Sequence, residues 1–236
     1  MKKIRTTLRI VLALCFIAVI LYSGYRMWDI QADYKDEAQL HDAVMEYKPE
    51  PADDIVNQSV IDLWEVYPDA VGWLTAPGTN IDYPFVQSND NDYYLRRDIN
   101  GSYALAGTLF MDYRCEKDFT SQNTVIYGHH MKNGSMFGTL KSFADKAFFD
   151  ENGQGIIYLP FEALTLEFFA YLVIDPATET EIYNTELSGS YFDYVKLNAR
   201  HYRDVDLTDG DRIVTLSTCA YEFENARMVL LSKITS

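Results

Sequence analysis

The chain has 236 residues, 48% of them hydrophobic and 14% aromatic, with a formal net charge of −15. That length holds one domain of ordinary size plus an appendage, and the aromatic load of 18 Tyr, 13 Phe and 3 Trp suits a β-rich core. Residues 1–27 carry Lys2, Lys3, Arg5, Arg9 and Arg26 and no acid, which leaves 15 basic against 35 acidic residues in the rest; a body that acidic cannot neutralise phosphates, so nucleic acid is excluded as a partner.

The chain opens with residues 1–9 as a basic, cytoplasmic N-terminus, and residues 10–27 read as a transmembrane signal-anchor. Ile10 to Tyr25 is an uncharged run of sixteen residues. As a helix it would span roughly 24 Å, slightly less than a hydrocarbon core of about 30 Å. Arg9 and Arg26 can snorkel to the two interfaces, and Tyr22, Tyr25 and Trp28 suit an interfacial belt. A cleaved signal peptide competes with this reading, but no A-x-A pattern appears, and Gly24 has the bulky Tyr22 at −3. Leu12-Ala-Leu-Cys15 fits a lipoprotein site poorly, because Leu14 is bulky and the cysteine lies mid-run. The anchor with basic residues inside places the protein in the cell membrane as a single pass, with the body outside.

Residues 28–67 form a helical arm: a polar helix over 29–48, broken by Pro49-Glu-Pro51, then a short helix from Asn57 to Tyr67 with Leu63, Trp64 and Val66 as its apolar surface. Residues 68–236 form the body. Short β-like runs follow at Val71–Leu74, Ile81–Phe85, Gly107–Met111, Thr124–Tyr127, Gly155–Leu159, Leu164–Ile174, Arg212–Leu216 and Arg227–Lys233, with turns at Pro77-Gly78 and Asn100-Gly101. Two helices interrupt them. Ser135–Phe149 has Phe137, Leu140, Phe143 and Ala144 at helical spacing, and Ser190–Arg200 has Phe192, Val195 and Leu197 facing inward. Eight strands with two insertions predict a mainly β fold, a closed or nearly closed barrel.

Three residue types carry the chemistry. Cys15 lies in the anchor, so only Cys115 and Cys219 lie in the body; they either pair or leave a reactive thiol, and the free thiol at Cys219 is favoured. Cys219 closes the strand-like run from Arg212 and precedes a polar stretch; its bland alternative is a buried strand cysteine. His129 and His130 end another strand and point to opposite faces. Gly128 permits a close approach and marks His129 as the working residue, leaving His130 as an exposed spare; His41 and His201 sit in polar helical contexts. Arg227 opens the last strand and would meet Cys219 if the last two strands are neighbours; otherwise it pairs with Glu222 or Glu224 on the surface. Nucleophile, proton carrier and fixed cation make a sufficient kit for acyl transfer. A metal site is not expected, since the His pair lacks further ligands at usable spacing.

Together these segments resemble a class B sortase, a cysteine transpeptidase of Gram-positive bacteria. The likeness rests on Thr215-Leu-Ser-Thr-Cys219, matching the family's TLxTC motif, with Tyr221-Glu-Phe and Arg227 after it. Asn123-Thr-Val-Ile-Tyr-Gly-His129, Met136-Phe-Gly, Asp92-Tyr-Tyr-Leu95 and Ala106–Arg114 add to it, and it covers roughly Leu63 to Ile234. The resemblance implies an eight-stranded sortase-type β-barrel with N-terminal helices and an inserted helix before the catalytic strand. It implies His129, Cys219 and Arg227 as the catalytic trio, and Asn91, Leu95, Tyr127 and Ser217 as residues lining the groove for the sorting signal. Ala220 departs from the pattern, being apolar where some relatives place an acid.

The activity so implied is cleavage of a C-terminal sorting signal, of N/S-P-x-T type, at a Thr-X bond through a thioacyl enzyme. The Thr carbonyl then passes to an amine of the peptidoglycan precursor or cross-bridge. No cofactor is implied, and the calcium used by some class A relatives has no evident ligand cluster here. A papain-like hydrolase is the rival enzyme, but its cysteine starts a helix and precedes its histidine. An anchored β-barrel adhesin with a buried Cys219 is the non-enzymatic rival.

Overall fold

A computed structural model describes residues 2–50, 56–208, 210–219 and 226–235. Pro51, Ala220, Tyr221, Glu222, Phe223 and Glu224, which carried expectations above, lie outside the described residues. The chain divides into two units, residues 1–43 and 44–236.

The first unit is helix α1, Lys2–Val44. It runs unbroken where the sequence reading placed an anchor and a separate polar helix. No proline occurs before Pro49, Gly24 is the only glycine, and Arg26 bridges Asp29 one turn on at 2.6 Å. At about 1.5 Å per residue the helix is about 65 Å long. Its N-terminal portion is long and apolar enough to cross a membrane.

In the second unit, α2 (Gln58–Val66) buries Val60 and Leu63. Trp64 and Val66, expected to supply its apolar surface, are exposed instead, because the buried stripe follows the i, i+3 pair Val60 and Leu63. Among the described residues nine strands follow: β1 (Ala70–Ala76), β2 (Ile81–Val86), β3 (Leu109–Met111), β4 (Asn123–Tyr127), β5 (Gln154–Leu159), β6 (Glu162–Ile174), β7 (His201–Tyr202), β8 (Ile213–Cys219) and β9 (Arg227–Ile234). Their order is β5-β1-β2-β3-β4-β8-β9-β6-β7, and β5 also pairs with β6. That last pairing closes eight strands into a barrel and leaves the two-residue β7 as an appendage on β6. The closed eight-stranded barrel is the predicted fold. β7 escaped notice because two residues carry no alternation, and it moves His201 from an expected helix into a strand.

Gly78, at φ +80°, makes the β1–β2 turn that Pro77-Gly78 announced. Trp73 of β1 is fully buried, and its indole N–H donates to Asp82 across the hairpin at 2.7 Å. Ser135–Phe149 is not one helix. It forms a 3₁₀ stretch, Gly138–Ala144, and then α3 (Lys146–Glu151), because Asp145 caps the second piece by accepting from the Phe148 N–H at 2.9 Å. Phe137, Leu140 and Phe143 are buried as expected. Helix α4 (Tyr191–Asn198) lays Tyr191 and Val195 on Leu172 and Ile174 of β6 and Val229 and Leu231 of β9. Leu197, expected inward, is 85% exposed, since the buried Tyr191 and Val195 are four residues apart and leave it on another face. β8 is apolar or hydroxylated throughout and buried from Ile213 to Thr218, the pattern of a central strand covered on both faces.

Candidate active site

Strand register brings the three chemical residues to one end of the barrel. β4 runs parallel to β8, with Tyr127 opposite Ser217, so His129 and Cys219 each lie two residues beyond a paired position. β8 runs antiparallel to β9, and there Cys219 is the direct partner of Arg227. The backbone continues the first pairing past the strand: the Gly128 N–H donates to the Ser217 carbonyl at 3.1 Å.

His129 is held from several sides. Its carbonyl accepts from the Phe137 N–H at 3.0 Å, and Gly128 leaves room for Phe137 and Leu109, whose side-chain carbons would stand 2.8 and 2.4 Å from an added Cβ. The close approach read from Gly128 is therefore made by these two residues. The ring Nε2 lies 2.7 Å from the Leu95 carbonyl oxygen. A carbonyl has no proton to give, so Nε2 carries the hydrogen and Nδ1 is the basic nitrogen of the neutral ring. Burial lowers the His129 pKa below its ordinary value; the Leu95 carbonyl opposes this, and the charges of Arg96 and Arg227 reinforce it. Arg227 is half-buried and donates through Nη1 to the Ala226 carbonyl at 3.1 Å. His130 is half-buried, in a bridge with Met136, and is not the exposed spare that strand alternation implied.

The four expected groove residues fall into two groups. Leu95, 39% exposed, belongs to the 3₁₀ turn Tyr93–Arg96 whose backbone holds the histidine. Asn91 and Tyr127 both donate to Oδ2 of Asp112, each at 3.0 Å, and Ser217 meets the Tyr183 hydroxyl at 2.9 Å. Asp112, Arg114 and Tyr183 received no role from the sequence. An acid and a base two residues apart, with a tyrosine 69 positions beyond, give no periodic signal; only the fold collects them. Cys115 is a free, buried thiol, so it does not pair with Cys219. Among the described residues no group of three His, Cys, Asp or Glu is placed to hold a metal ion.

Gly107 links the loop to the histidine. Its φ is +61°, and an added Cβ would lie 2.6 Å from the Tyr94 carbonyl oxygen and 2.7 Å from that of Leu95. Gly107→Ala is expected to destabilise the fold by about 1–3 kcal/mol. It should also lower kcat well below the melting transition, because the oxygen it displaces is the one that orients His129. Thermal denaturation and peptide turnover of the same preparation check this; a lower Tm with unchanged kcat contradicts it.

A family model for the sortase domain matches residues 74–235. The chain is 36% identical to sortase B of Listeria monocytogenes over 98% of both chains. Among solved structures it is similar to sortase B of Bacillus anthracis in complex with AAEK1, with a TM-score of 0.75 and 33% identity over 87% of this chain and 99% of that one. It is also similar to a mutant form of Clostridium perfringens sortase B, with a TM-score of 0.78 and 31% identity over 84% of this chain and 98% of that one.

Proposed function

We propose, for a chain that belongs to the sortase family and to its class B, that Cys219 is the nucleophile, His129 the proton carrier and Arg227 the oxyanion partner of one reaction centre. Family membership makes the chain a cysteine transpeptidase of the cell-wall sorting type, acting on proteins that bear a sorting signal and on a peptidoglycan amine. The observation that carries the residue assignment is the register: two strand pairings bring Cys219, His129 and Arg227 to the same barrel end.

The steps follow from the chemistry of these groups. Cys219 passes its proton to Nδ1 of His129, forming thiolate and imidazolium. The sulfur attacks the Thr carbonyl of an N/S-P-x-T-type signal; the C=O π electrons move to oxygen, where the Arg227 guanidinium donates to the oxyanion. As the tetrahedral centre collapses, the C–N bond breaks and the leaving amine takes the proton from His129. An amine of the lipid-linked precursor or the cross-bridge then attacks the thioester, His129 takes a proton from it, and the thiolate leaves. Water in place of the amine gives hydrolysis by the same route. Burial disfavours a charged His129, so its imidazolium readily gives up its proton to the leaving amine.

The proposal extends to the whole chain. Residues 10–27 span the cell membrane once with residues 1–9 in the cytoplasm, residues 28–67 form an external arm, and residues 68–236 form the catalytic barrel. The apolar first half of α1 and its basic flank support this orientation. Anchoring would hold the enzyme where exported substrates and wall precursors emerge, raising their effective concentration. Acid quenching during turnover, followed by intact-mass measurement, should capture the acyl fragment of the peptide on Cys219. Steady turnover of a sorting peptide with no adduct at any cysteine would remove the thioacyl route.

A further inference from the structure

Asp112 follows β3 directly and is fully buried, yet its carboxylate accepts five hydrogen bonds. Oδ1 takes the backbone N–H and the Nε of Arg114, both at 2.9 Å. Oδ2 takes Arg114 Nη2 at 2.7 Å, together with Asn91 Nδ2 and the Tyr127 hydroxyl at 3.0 Å each. The same Arg114 Nη2 continues to the Tyr183 carbonyl at 3.0 Å, and the Tyr183 hydroxyl meets Ser217 Oγ. A charge this deep persists only when its acceptor sites are filled, and here they are filled by three residues, the neighbouring Arg114 and the more distant Asn91 and Tyr127.

We propose that Asp112 is the positioning residue of the peptide groove: one carboxylate fixes Asn91 and Tyr127 directly and, through Arg114, the Tyr183–Ser217 pair beside the Cys219 strand. This rests on the reading that Asn91, Tyr127 and Ser217 line that groove. It also assigns a polarity to the contacts. The Tyr127 hydroxyl proton is committed to Asp112, so what this oxygen offers a ligand is a lone pair. Asn91 likewise has its carbonyl oxygen committed to the Tyr113 N–H at 3.1 Å and one amide hydrogen committed to Asp112. Its remaining hydrogen is a donor. The groove floor therefore presents an acceptor at Tyr127 and a donor at Asn91, a pair that matches the alternating N–H and C=O of an extended peptide backbone.

Asp112→Asn tests this with little change of shape. An amide keeps one oxygen and replaces the other by a donor, so at least two of the five donors lose their acceptor. On the soluble enzyme from residue 28 onward, KM for a sorting peptide should rise about tenfold to a hundredfold. The effect on kcat should be small, and the rate of Cys219 alkylation by iodoacetamide, a reagent too small to need the groove, should be unchanged. Arg114→Lys is the second variant; its side chain is 42% exposed, so it can be replaced with less risk to folding. It cuts the fork to Asp112 and the link to Tyr183. If Asp112→Asn fails to fold, the same rise in KM for Arg114→Lys sustains the proposal, and an unchanged KM overturns it. A folded Asp112→Asn enzyme with unaltered KM, or with its loss confined to kcat, overturns the proposal while leaving the transpeptidase reading intact. Wild-type enzyme that turns over no sorting peptide sinks both.

Discussion

Cys219→Ala is expected to abolish transpeptidation and hydrolysis together, by a factor of at least about 10³, because both products pass through the same acyl–sulfur bond. His129→Ala should lose about as much, and the double variant hardly more, since a nucleophile and the group that carries its proton act as a unit. The measurement is release of the peptide's C-terminal fragment, with and without a small acceptor amine. Thiol labelling of the soluble chain gives an independent check. Cys115 is buried between the Asn123 carbonyl and the Val125 N–H, and burial pushes its pKa up to about 11. At neutral pH it should stay unlabelled, so Cys219→Ala should remove essentially all uptake of iodoacetamide. A Cys219→Ala enzyme with wild-type turnover leaves no place for the proposed route.

Arg227→Gln is expected to cost about 10²–10³ in kcat, the usual loss for one oxyanion donor. Two signatures separate this from a structural effect. Lysine at the position keeps the charge but not the planar fork, so Arg227→Lys should recover only part of the loss. The second signature concerns His129, whose pKa is lowered first by burial and also by the neighbouring charges of Arg96 and Arg227. Deleting the Arg227 charge removes one depressing influence, so the imidazole should hold its proton to higher pH. An upward shift of its titration, followed by NMR of the ring protons, is the expected sign. If kcat falls while the His129 titration stays put or moves down, Arg227 does not act beside the histidine as proposed.

Much of the barrel was legible because each long strand keeps a dense apolar or β-branched run between turn residues; β8 and β9 stand almost where the pattern placed them. The misses share a cause. The anchor over 10–27 and the polar helix over 29–48 read as two elements because composition changes between them, but composition does not end a helix in the absence of a breaker, and α1 runs through both to Val44. The reverse held at Ser135–Phe149, where apolar spacing favoured one helix and a single capping side chain, Asp145, made two pieces. His129, Cys219 and Arg227 stood out by residue type and strand position. Asp112, Arg114 and Tyr183 did not, because their meaning lies in hydrogen bonds between segments up to 69 residues apart, such as Arg114 to Tyr183. Sequence patterns report local periodicity and carry almost nothing about such long-range pairing.

The parallel β4–β8 pair joins residues far apart in the chain; Thr215 Oγ1 donates to Asn123 Oδ1 across a separation of 92. Contacts of that range form slowly, because the loop between them must be ordered before it is rewarded. During synthesis the histidine-bearing strand is made first and waits, without its cysteine, for β8. β9 then lies between β8 and β6, so a truncated product ending before Arg227 would leave both of those strands with an open edge. Such fragments would be prone to aggregate, and none would set Cys219 opposite Arg227 across β8 and β9.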